Sequence, residues 1–198
     1  MGLRSIRVLG VLLLLGASAT AYAQTSLTPQ QVVMATNGVR QAQGLPLLAE
    51  DSALSRAAQA RARDMAQRNY FSHRDPEGEY VWPSVRKQGY AFTRVAENIA
   101  VNYESADAVL KGWLDSSGHR ANIMDDRFRD IGVGVAEGVY KGDSAYYVVQ
   151  IFGTENRQLS QVAAASDVMG REERIASLLA EIRRLQALLN TLLTRSAQ

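Results

Sequence analysis

The sequence predicts an α+β fold with helices on both faces of a small antiparallel sheet. Three observations carry this. Helical patterns dominate the first half of the chain, including an alanine-rich stretch over residues 51–68. Two runs of period two follow, Ile131, Val133, Val135 and then Tyr147, Val149, Ile151, with the turn residues Lys141-Gly142-Asp143-Ser144 between them. The second run is apolar on both faces, as a central strand covered on each side must be. At 198 residues, 46% apolar and 21% charged, the chain has the length and composition of one folded domain. It contains no cysteine, which excludes disulfides, thiolate zinc sites, cysteine nucleophiles and lipid attachment through cysteine.

The elements follow in order. Residues 1–23 read as a secretory signal peptide: Arg4 and Arg7 come first, Val8 to Ala19 is apolar, and Ala21-Tyr22-Ala23 supplies the small-x-small cleavage pattern. The apolar part is far short of the ~20 residues a spanning helix needs. The protein is therefore expected to be secreted or periplasmic. Removing those residues takes away two arginines and no acid, leaving 20 cations against 20 anions. The mature chain is formally neutral, so nucleic acid is not an expected partner.

Thr28-Pro29-Gln30-Gln31 has the form of a capping box with proline at the first helical position, and Gly44 with Pro46 ends that helix. Over 51–68, Leu54, Ala58, Ala62, Met65 and Ala66 share one face of a core helix, with arginines on the other. Asn69 to Glu79 is rich in turn residues and reads as a loop. A short helix covers Trp82 to Gln88 and stops at Gly89. Ser105 caps another, which carries Val109, Leu110, Trp113 and Leu114 toward Ser116-Ser117-Gly118-His119. Residues 24–157 form the main domain, 158–170 a linker, and 171–195 an amphipathic leucine-rich helix, with Ala163-Ala164-Ala165-Ser166 reading either as linker or as a helix start. In that helix Ile175, Leu178, Ile182, Leu185, Leu189 and Leu192 are spaced 3, 4, 3, 4, 3, as in a coiled coil. Self-association, docking on the chain's own domain and a lipid surface are the three covers considered for this stripe.

The chain has two histidines, His73 in the turn-rich loop and His119 at a helix boundary. Between them lies Glu97, a lone acid among apolar neighbours, 24 residues from the first and 22 from the second. Those separations match no helical zinc motif. Ser116 and Ser117 stand beside His119 but lack a nucleophile elbow, so a serine nucleophile is not expected. Tyr80, Trp82, Tyr90 and Trp113 suit core positions better than a ligand groove. Gln150, in the central strand, requires an internal partner.

Five blocks, NYFSHRDPEG, VAENIA, GWLDSSGHRANI, RDIGVGVA and YYVVQIFG, occur in an order that resembles bacterial secreted CAP-domain proteins. These are relatives of cysteine-rich secretory proteins, venom allergens and plant pathogenesis-related proteins. The resemblance covers roughly residues 30–154. It implies an α-β-α sandwich around a cleft, to which this chain adds its C-terminal helix. It also implies that His73, Glu97 and His119 line the cleft, with His73 and His119 as ligands for zinc. The family's second glutamate, three residues after a tryptophan, falls on Ser116, so one carboxylate of the set is missing. The leading expectation is thus a secreted binding module for a lipid, peptide or cell-wall component, its cleft holding a divalent metal. Two alternatives stay open. One is a metal-dependent hydrolase, a peptidase, in which His73 and His119 hold the metal and Glu97 is the catalytic base. The other is an oligomeric adaptor built through the C-terminal helix.

Overall fold

The computed structural model describes residues 27–196. The signal-peptide segment 1–23 lies outside the described residues. A four-stranded sheet of order β1-β3-β4-β2 forms the middle layer, from β1 (Ala49–Glu50), β2 (Phe92–Val101), β3 (Asp130–Tyr140) and β4 (Asp143–Glu155). β4 pairs antiparallel with both β3 and β2, so the strand that is apolar on both faces is central. β3 and β4 are joined at Lys141 and Gly142, with φ of 54° and 99°. That is a two-residue hairpin of the primed type, which matches the twist of the strands it joins.

One face of the sheet is covered by α1 (Pro29–Ala42), α4 (Ala106–Asp115) and α5 (Ser117–Met124). The other is covered by α2 (Ser52–Arg68) and the short α3 (Trp82–Lys87). The caps are those the sequence predicts. Thr28 and Gln31 form the capping box of α1, and Ser105 accepts from the Ala108 N–H at the start of α4. α2 lies so close to β3 that a Cβ on Gly132 would stand 2.2 Å from the backbone of Leu54 and Ser55. Alanines on the helix and glycines on the strand make this approach sterically open.

Two readings need correction, and one strand adds to them. β2 carries no sequence signal that sets it apart as a strand, since Glu97 and Asn98 interrupt its apolar pattern. Arg61 does not join the exposed arginines of α2; it is buried at 6% exposure on the inward face. The stretch read as a linker at 158–170 is helical, part of a single α6 spanning Arg157–Ser196. Its alanines are good helix formers, and no proline breaks it. Every described side chain from Arg157 to Ala187 is exposed, so the domain does not cover the described part of the leucine stripe, Ile175 to Leu185.

Candidate functional site

The three residues singled out in the sequence come together where loops from both helical layers meet the edge strand β2. Glu97 points its side chain toward the α2 layer and is buried at 6% exposure. His73, in the loop after α2, brings its Nδ1 to 2.7 Å from Glu97 Oε2. A carboxylate accepts, so Nδ1 is the donor, and in the neutral ring the lone pair is then on Nε2. His119 stands in the first turn of α5, its ring centroid 6.3 Å from that of His73. Burial, and secondarily the neighbouring His73, lower its pKa from the ordinary histidine value, which favours neutral imidazole.

Arg61 is the member the sequence reading missed. Its Nη1 donates to the Tyr70 hydroxyl at 2.8 Å and its Nη2 to the Ser72 carbonyl at 3.1 Å, which fixes the loop that carries His73. Its Nε lies 3.7 Å from Glu97 Oε1. Both atoms of that pair are buried without a hydrogen bond, so the contact is charge attraction alone. The available signal was weak: Arg61 lies three residues from Ala58 and four from Met65, within the apolar face of α2.

The polar network continues across the sheet. Asn122 of α5 donates to the Glu97 carbonyl and to Asn98 Oδ1. Asn98 donates to Gln150, whose amide in turn donates to Thr36. Gln150 is thus the satisfied core amide its position demanded. Tyr90 and Trp113 are core residues as expected. Tyr80 and Trp82 are not; their rings stack at 5.8 Å and help line a cavity of about 250 Å³ with His73, Val95, Glu97 and Asn122.

Zinc is the metal the resemblance implies. Among the described residues, no group of three or more histidine, aspartate or glutamate side chains is arranged to hold a metal ion. The residues offer two imidazoles and one carboxylate already engaged by His73. That donor set fits an open two-ligand site completed by water and falls short of a closed structural one.

A family model described as CAP, the cysteine-rich secretory protein family, matches residues 33–152. The chain belongs to the CAP family. The Bacillus subtilis protein YkwD is 37% identical over 120 residues, which are 61% of this chain and 47% of that protein. The Bacillus subtilis membrane protein YlbC is 32% identical over 111 residues, 56% of this chain and 32% of that one. The CAP chain described here therefore spans less than half the length of either relative. Among solved structures, an extracellular SCP-domain protein of Bacillus anthracis matches with 35% identity and a TM-score of 0.55, covering 64% of this chain and 40% of that one. An outer surface protein of Borrelia burgdorferi has the same TM-score of 0.55 at 19% identity, covering 64% of this chain and 92% of that one, and supports the fold alone.

Proposed function

We propose that this CAP protein is an exported binding module whose cleft, at His73, Glu97 and His119, holds its ligand beside an exchangeable divalent cation. The observation that carries the reading is the state of Glu97. It is the only acid of the trio, it is buried, and it is held between Arg61 and His73. A carboxylate so engaged orients an imidazole; proton transfer in catalysis calls for a group within reach of the reacting atoms. His73 Nε2 and His119 would hold zinc, which when bound supplies a Lewis-acidic point for an oxygen or nitrogen of the ligand. The stacked Tyr80 and Trp82 give the cleft an apolar wall. Export is supported by the composition of residues 1–23, by the extracellular description of the Bacillus anthracis relative, and by the lack of any membrane-length apolar helix among the described residues.

One observation favours a second reading, a metal-dependent hydrolase: Glu97 Oε1 has no hydrogen-bond partner and is chemically able to accept a proton from water. A single experiment separates the two. Zinc is titrated by calorimetry into the metal-stripped protein and into its His73→Ala and His119→Ala variants, with peptidase assays alongside. The expected result is micromolar binding that both substitutions abolish, with no turnover. Binding that survives either substitution removes the shared site. Zinc-dependent turnover lost in Glu97→Gln moves the reading to the hydrolase.

A further inference from the structure

β2 is an edge strand, paired with β4 on one side only. Two side-chain caps fix which of its residues face outward. The Glu97 carbonyl accepts from Asn122 Nδ2 at 3.4 Å, and the Ile99 carbonyl accepts from Trp113 Nε1 at 3.0 Å. Alternate residues therefore turn their main-chain groups away from β4. Val95 falls in the same phase. Its partner Gly153 confirms this, because the Gly153 carbonyl faces the other way and accepts from the Arg129 N–H at 2.9 Å. The N–H and C=O of Val95 and the N–H of Glu97 thus point out of the sheet.

At the opposite edge, past the end of β1, the Gln59 amide caps the N–H and C=O of Val135. No side chain among the described residues caps Val95 in that way. The same stretch floors a groove. A cavity of about 780 Å³ over Thr93 to Ala96 and Met124 to Phe128 shares Val95, Ala96 and Asn122 with the cavity at His73 and Trp82. The two adjoin at those residues along the strand edge, and the smaller one reaches His73.

We infer that this groove takes an extended peptide, which adds as a short strand to the open edge of β2 at Val95 and runs toward Trp82 and His73. The inference rests on the binding-site reading above and names its ligand class. A strand edge presents donor and acceptor at the repeat of a peptide main chain, the match on which recognition by strand addition depends. The far end of the groove carries charges of both signs, Arg94 and Arg127 with Asp125 and Asp126. That lining complements a polar zwitterionic chain and disfavours an acyl chain, which needs apolar walls. The register shift between Phe92 and Arg94 ends regular pairing at the outer side. The added strand is therefore short, with about three main-chain hydrogen bonds, and side-chain contacts at Trp82 and Arg94 supply the rest.

The test is selection of phage-displayed random dodecapeptides on the full chain, followed by binding measurements with the selected peptides. Val95→Pro deletes the outward N–H, and an edge strand tolerates proline where that N–H faces solvent. It is expected to weaken the peptides about tenfold or more, the equivalent of one lost hydrogen bond. Hydrogen exchange on the unaltered protein provides a readout that needs no variant. The Val95 and Glu97 amides are expected to become protected on peptide binding. Peptides that bind with unchanged affinity to Val95→Pro and leave those amides unprotected overturn the edge assignment. Glycan fragments or phosphatidylglycerol vesicles that bind in a Trp82-dependent way, where no peptide is selected, overturn the peptide and leave the cleft reading standing. If Trp82→Ala and His73→Ala alter the binding of none of the three probes, both fall.

Discussion

Arg61 and Glu97 illustrate how one side chain positions another. The pair is buried, with Arg61 Nε 3.7 Å from Glu97 Oε1. Arg61→Ala is expected to cost about 3–5 kcal/mol in urea unfolding, because it removes the buried cation beside Glu97 together with the hydrogen bonds to Tyr70 and Ser72. Arg61→Met combined with Glu97→Leu should recover most of that loss; a double variant whose cost equals the sum of the two single ones would remove the coupling. His119 sets the pH dependence at this scale. Its folded pKa lies below 6.5, so as pH falls past 6.5 the unfolded chain takes up a proton before the folded one does. The stability contributed by neutral His119 is complete above that pH and declines as pH drops from 6.5 toward the folded value. Unfolding measured across that range should show a flatter acid slope in His119→Gln than in the parent.

Elements meet through small residues. Gly132 lets β3 touch the backbone of α2, and a methyl group there has no space to move into. Gly132→Ala is expected to destabilise by about 1–3 kcal/mol or more, read as a lowered Tm. Gly118→Ala, where a Cβ meets nothing within 4 Å, should cost nothing and serves as its control. α6 poses the opposite case, a helix whose described side chains from Arg157 to Ala187 are all exposed. Ile175, Leu178, Ile182 and Leu185 are each at least 50% exposed along one seam, and Leu179 widens it. We propose that copies of the chain cover this stripe through a coiled coil, since a supercoil requires the 3.5-residue spacing that the seam keeps. Light scattering should give an oligomer for the full chain and a monomer after deletion of residues 167–198. A monomer in both removes the proposal.

At the scale of the whole molecule, the layered plan was legible before any coordinates. Both long helices, the caps at Thr28 and Ser105, and the β3–β4 hairpin follow from periodicity and local hydrogen-bond chemistry. These are short-range rules, satisfied by residues within a few positions of one another. β2 escaped them because its burial is set by partners far along the chain. Glu97 and Asn98 spoil its pattern locally, and His73, Arg61, Gln150 and Asn122 make them acceptable inside. The start of α6 is ambiguous in the sequence for a related reason, since alanines suit a helix and a linker alike.

The sequence by itself determined the family, the fold class and the identity of His73, Glu97 and His119. Five ordered blocks carry that information, and each can be read along the chain. Only the tertiary structure decided that Arg61 belongs with them, that Glu97 is held rather than free, and that Val95 stands at an open strand edge. These depend on which surfaces meet and which hydrogen-bonding groups find partners across the sheet. Such pairings join residues dozens of positions apart, and local sequence rules do not reach that far.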